Sequence, residues 1–183
     1  MLFNSRHSYG SVARAFHWLS ALAVIIVLSL AQIKDLFPKQ SEARVELWLW
    51  HINFGIIIFL LVLPRIVWRL GNKLPAITPS PSALDTLLAH IIHWTLYALM
   101  VITPIFGLWS LQAGDATVHL FSLPLPQLFG VDDALSHDIK EIHETLGNVV
   151  LWLVLAHIAA ALWHHYRIKD DTLSRMGGPQ KPD

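Results

Sequence analysis

The chain has 183 residues, of which 54% are hydrophobic and only 14% charged, with a mean hydropathy of +0.50. Soluble domains carry about 25% charged residues, so this composition excludes an ordinary water-soluble globule and points to a membrane protein. Thirteen basic residues balance thirteen acidic ones, which leaves no electrostatic footprint for nucleic acid, and the absence of cysteine excludes disulfides, cysteine-held iron–sulfur clusters and thioether-linked haem.

Four apolar stretches, roughly 16–33, 47–70, 84–111 and 142–163, are long enough to cross a hydrocarbon core, which takes about 20 helical residues. The first also has features of a signal peptide, with Arg6 and Arg14 ahead of it and small residues at Ser29 and Ala31. That alternative leaves His17, at the head of the apolar run, unexplained. Pro75, Pro79 and Pro81 mark the second connection as a loop. The third, with "SLPLPQLFG" and Asp132–Asp133, is the longest and has room for a short surface element. Pro104 inside the third span predicts a kink. Residues 170–183, ending in "MGGPQKPD", read as a flexible tail on a single membrane domain.

Lysine and arginine in the flanks set orientation. Arg6, Arg14, Arg65, Arg69, Lys73, Arg167, Lys169, Arg175 and Lys181 fall on one side, nine against the four of Lys34, Lys39, Arg44 and Lys140 on the other. Both termini are therefore expected on the cytoplasmic side. Four spans with short connections predict an all-α, up-down four-helix bundle.

Ionisable residues inside a span are costly and face the bundle interior, so each is a functional candidate. His143 and His157 are fourteen residues apart, a spacing that puts them on one helix face about 21 Å apart along the axis. Topology sets His51 level with His143 on the outer side, and His17 level with His157 on the inner side. Zinc on two imidazoles needs further ligands at the same depth, and no acidic side chain lies deep in a span. A haem needs only two axial imidazoles, because the porphyrin supplies the other four nitrogens. The expected sets are His51 with His143 on an outer iron and His17 with His157 on an inner iron. One turn after these four residues stand Gly55, Gly147, Ala21 and Ala161, small enough to leave room for a macrocycle, although small residues also serve close helix packing.

Arg65 repeats the face of His51 fourteen residues on, at the inner level, and Arg69 lies one turn further out. Both are candidates for haem propionates, with the positive-inside flank as the plainer explanation of Arg69. His93, beside His90 at the start of span three, is a further propionate candidate. His164, His165 and Trp18 are candidate groups for a quinone near the inner surface. His7, His119 and His137 fall outside the spans and read as solvated.

On these residues the chain resembles the bacterial cytochrome b561 family. The pieces are "YGSVARAFHW", "HINFG", "AHIIHWTLYALM", "IHETLGN" followed by "AH", and "KDDTLSRM", which span nearly the whole chain in order. The resemblance implies two b-type haems on His17, His51, His143 and His157. It also implies electron transfer with ubiquinone in the inner membrane, with superoxide as a proposed periplasmic donor for members of the family. Two imidazoles close the iron, so a donor must react at a haem edge rather than at the metal. Lys34, Lys39 and Arg44 on the outer loop would attract an anionic donor, opposed by the interspersed Asp35, Glu42 and Glu46. Two alternatives stand beside this: a cytochrome b subunit relaying electrons for a dehydrogenase or hydrogenase partner, and a histidine-lined transition-metal transporter.

Overall fold

The computed structural model describes residues 1–178. Lys181, and the last five residues of the expected flexible tail, lie outside the described residues. Helix α1 covers Ser11–Ile33 and ends in a single 3₁₀ turn, Lys34–Leu36. Helix α2 covers Glu42–Gly71, α3 Ala83–Ala113 and α4 Asp133–Trp163. A short hairpin of β1, His119–Leu120, and β2, Leu123–Pro124, interrupts the α3–α4 connection. A π-helical turn, His164–Ile168, continues α4, and α5 covers Ser174–Gly177.

All four long helices have the length and apolarity to cross a membrane. Each runs past the apolar stretch that predicts it, because capping and charge pairing extend the helix into water. Ser41, Ser82 and Asp132 accept from the backbone N–H groups of Arg44, Asp85 and Leu135, supplying acceptors the helix starts lack. The first turns of α4 carry the i,i+4 pairs His137–Glu141 (3.3 Å) and Lys140–Glu144 (3.7 Å). Helix α3 continues through Pro104, and α2 through Pro64, each proline leaving the carbonyl four residues earlier without its helical donor.

The close pairs are α1 with α2 and α3 with α4, with α2 and α3 joining them into an up-down bundle. Ala23, Val24, Ile58, Val62, Tyr97, Leu99, Met100 and Val150 form the buried core at mid-height. Around them the outward side chains are large and apolar, such as Leu22, Ile25, Leu60, Val67 and Trp152, as a lipid-facing surface requires.

The two ends are fastened differently. At the hairpin end, fully buried Gln112 donates to Pro126 O (2.8 Å) and accepts from Leu128 N (2.8 Å), while Asn53 Oδ1 accepts from Phe121 N (2.6 Å). That bond holds Phe121 at φ 53°, in the left-handed region. At the other end the N-terminal segment, the α2–α3 loop and the residues after α4 are tied together. Arg6 O accepts from Ala76 N (3.0 Å), and Thr78 and Asp171 exchange two hydrogen bonds. Arg175, 4% exposed, donates to Pro75 O (2.6 Å), pairs with Asp171 (3.3 Å) and lies over the Tyr9 ring. The first half of the expected tail, 170–178, is thus a docked strap, held by buried polar residues that hydropathy alone does not distinguish from a solvated terminus. The N-terminal chain crosses itself closely: a Cβ on Gly10 would stand 2.2 Å from Leu2 O, so only glycine fits there.

Candidate haem centres

Two groups of histidines face the bundle interior, one toward each end. At the hairpin end His51 on α2 and His143 on α4 stand with ring centroids 6.1 Å apart and planes at 88°. His51 Nδ1 is 3.1 Å from Val27 O on α1, and His143 Nδ1 is 2.9 Å from Thr103 O on α3. A carbonyl only accepts, so both Nδ1 atoms carry their protons and both Nε2 lone pairs are free. This is how metal-binding histidines are commonly held. Two imidazoles bonded to a shared metal at about 2 Å each have ring centres roughly 6 Å apart. A Cβ built on Gly55 or on Gly147, one turn after each histidine, meets no atom within 4 Å. The donors, their tautomer, their spacing and the room beside them fit a bis-imidazole haem.

At the termini end the set is larger. His157 on α4 faces His93 on α3 with centroids 5.5 Å apart, and His17 on α1 sits against Trp18 at 5.0 Å. Arg65 Nη2 is 3.0 Å from His17 Nδ1. A guanidinium only donates, so this Nδ1 accepts and the neutral ring keeps its proton on Nε2. His17 therefore stands in the tautomer opposite to that of the hairpin-end pair, and ligation through its Nε2 requires Arg65 to find another acceptor. Arg65 also lies 5.1 Å from the Tyr97 ring centre, and Arg69 5.8 Å from that of Trp94 and 5.6 Å from that of Tyr97. Histidine donors and a guanidinium suited to an acidic substituent are both present, so this group fits a haem by composition.

His90 bonds its own helix, Nδ1 to Thr86 O at 2.7 Å, and is exposed. His7, His119 and His137 are exposed as expected. Of the quinone candidates, Trp18 donates from Nε1 to Met176 O (2.9 Å) and lines an open cavity of about 530 Å³ with Ser11, Arg14, Leu19 and Met176. His164 and His165 do not line it. His164 Nδ1 donates to Asp170 Oδ2 at 2.6 Å, and His165 packs edge-on against Tyr166. Burial alone would raise the Asp170 carboxyl, but the hydrogen bonds from His164 and Thr172 outweigh it and hold the group below the usual carboxylate range.

Three contributors to the hairpin-end geometry escape a reading by residue type. The carbonyls of Val27 and Thr103 belong to the backbone and leave no mark in a sequence. Gly107, against which the His143 ring rests, does leave one: Thr103, Gly107, Ser110 and Gly114 are small residues on one face of α3. That face meets α4, where Ser136 Oγ donates to Ser110 O at 2.8 Å.

Four apolar helices bringing interior histidines to two levels define a membrane cytochrome b. The sequence profile of the prokaryotic cytochrome b561 family matches residues 8–179, and the chain belongs to that family. It is 33% identical over 168 residues to a Yersinia pestis protein named "Probable superoxide oxidase CybB", covering 92% of this chain and 94% of that one. It is 30% identical to cytochrome b561 homolog 1 of Escherichia coli K12, over 87% of this chain and 91% of the relative. With homolog 2 of the same organism it shares 29% identity, over 98% and 96%. Membership implies b-type haem and electron transfer within a bacterial membrane.

Proposed function

We propose that the protein moves electrons across the bacterial inner membrane through two b-type haems, as a quinone-linked oxidoreductase. His51 and His143 hold the hairpin-end iron, and His17 and His157 the termini-end iron. The nine-to-four distribution of basic residues supports termini in the cytoplasm and a hairpin in the periplasm. The observation that carries this reading is the hairpin-end pair, with both Nδ1 protons committed to backbone carbonyls and the rings 6.1 Å apart.

Haem supplies a one-electron couple whose potential the protein sets through ligation, burial and hydrogen bonding. The Val27 and Thr103 carbonyls fix the two hairpin-end ligands in the tautomer that leaves Nε2 free. Arg65 would receive a propionate, with Arg69 and His93 in the same group. Ubiquinone is the proposed acceptor on the cytoplasmic side, where Trp18 lines the open cavity. Its carbonyls would find Arg14 and Ser11 there, with His164 and His165 as more distant proton carriers.

Superoxide is the proposed periplasmic donor, by likeness to the Yersinia pestis relative. Steering of that anion is weak on this chain. Lys34 and Arg44 both pair with Asp35, at 3.0 and 2.8 Å, which leaves Lys39 as the basic residue of that loop outside the pairing.

The test is a pyridine haemochrome assay on the detergent-purified protein, followed by quinone reduction under a superoxide-generating system. Two b-type haems per chain and superoxide-dependent quinol formation are expected. Haem without superoxide-dependent quinol formation would overturn the donor and favour relay from a dehydrogenase or hydrogenase partner. Absence of haem in protein made with ample haem supply would overturn the whole reading in favour of metal transport.

A further inference from the structure

The His143 imidazole rests on the backbone of Gly107. A Cβ at that position would stand 2.9 Å from Cε1, 3.1 Å from Nδ1 and 3.6 Å from Nε2, so the ring lies across the space a side chain would take. Thr103, one turn earlier on the same face of α3, accepts a hydrogen bond from His143 Nδ1 at its carbonyl. Helix α3 thus supplies no ligand at this level, yet it touches the ligand from α4 at two points. The helix cannot simply retreat from a larger residue. Ser136 Oγ on α4 donates to Ser110 O on α3 at 2.8 Å, and a Cβ on Gly114 would stand 3.0 Å from Ser136 Oγ. The α3–α4 seam is closed on the hairpin side of Gly107, so added volume falls on the imidazole. The three glycines near this pair have different surroundings: Gly55 and Gly147 face open space, whereas Gly107 faces the ligand itself.

We propose that Gly107 is a positioning residue for the hairpin-end centre, setting the rotation of the His143 ring and hence its 88° angle to His51. The proposal rests on ligation of one iron by His51 and His143. Axial imidazoles with perpendicular planes leave two iron d orbitals nearly degenerate and give a highly anisotropic low-spin ferric resonance. Parallel planes split those orbitals and give a rhombic one. An angle of 88° is at the perpendicular limit, so rotation of either ring lowers the anisotropy. The sign of the effect is fixed in advance.

The experiment is electron paramagnetic resonance of the oxidised holoprotein, with haem counted by pyridine haemochrome. His51→Ala and His143→Ala first identify the hairpin-end signal as the one both abolish. Gly107→Ala should keep two haems per chain, shift that signal's lowest-field g value downward and leave the other centre's signal in place. Gly107→Leu should reduce the count from two haems to one, with loss of the same signal. Gly71→Ala, where a Cβ meets nothing within 4 Å, should move neither signal. An unmoved hairpin-end signal in Gly107→Ala would overturn the proposal, as would an equal shift in Gly71→Ala, which would point to general loosening. If His51→Ala and His143→Ala abolish no common signal, it is the ligand assignment beneath the proposal that fails.

Discussion

On the proposed assignment, the two centres would use the same kind of ligand in different electrostatic settings. At the hairpin end His51 and His143 each donate a hydrogen bond from Nδ1 to a backbone carbonyl, at 3.1 and 2.9 Å, and the partners are neutral dipoles fixed in the helices. At the termini end His17 takes a hydrogen bond from Arg65 at 3.0 Å, with Arg69 one turn further along α2. Among the described residues no carboxylate pairs with either guanidinium. A carbonyl acceptor on Nδ1 makes an imidazole a stronger donor to metal, which favours the oxidised state. A cation nearby, even one shared with a propionate, favours the reduced state. On the proposed assignment, differences in second partners, rather than in ligands, would make the termini end the place where an electron settles.

The largest test of this comparison removes the ligands. His51→Ala or His143→Ala should each cost the hairpin-end haem and largely spare the other, halving haem per chain. His17→Ala or His157→Ala should do the reverse. Loss of the same haem in all four variants, seen in reduced-minus-oxidised spectra, would end the division into two centres. Because His93 faces His157 at 5.5 Å, His93→Ala is the informative companion. It should leave both haems bound, and a loss there equal to that in His17→Ala would make His93 the ligand instead.

Arg65→Leu is the next test. Taking away the cation removes what stabilises the reduced form, so the termini-end midpoint potential should fall while the hairpin-end value holds. A tenfold change in the redox equilibrium corresponds to about 59 mV for one electron, and a shift of that order is expected in a spectroelectrochemical titration. Equal shifts at both centres would mean that Arg65 acts on the bundle as a whole and not on one site.

The sequence made the spans legible because hydrophobic length is a property of residue type, and the same holds for interior histidines in a chain so poor in charge. Helix ends were less legible, since Asp132, Ser41 and Ser82 cap through side-chain-to-backbone bonds that depend on the approach of the chain. Span order alone set the expected levels of the histidines. Their partners did not, because Val27 and Thr103 act through carbonyls and because Arg65 faces His17 only once α1 and α2 are packed. Gly107 was readable as one of a row of small residues along α3. That it faces an imidazole depends on how α3 packs against α4, which the sequence of α3 alone does not show.

The contrast between the ends extends beyond the helices. Gln112 and Asn53 hold the hairpin end through uncharged amides, whereas Asp170, Asp171 and Arg175 hold the strap at the termini end through charge. Acid should therefore loosen one end and not the other. The folded Asp170 carboxyl lies below the usual range, so the undocked chain binds a proton more readily than the docked one. The stabilisation is complete above the ordinary carboxylate value of about 4 and is lost as pH falls through the lower folded value. Hydrogen exchange on the holoprotein in detergent should show protection across residues 170–178 declining in that window while residues 118–129 keep theirs. Asp170→Asn should reproduce the loss at neutral pH, with both haems retained, because the amide keeps the size of the side chain and removes its charge. Parallel loss at the hairpin end would show that the two fastenings are not independent. Unchanged strap protection in Asp170→Asn would assign the docking to Arg175, whose hydrogen bond to Pro75 O (2.6 Å) and place beside the Tyr9 ring do not involve Asp170.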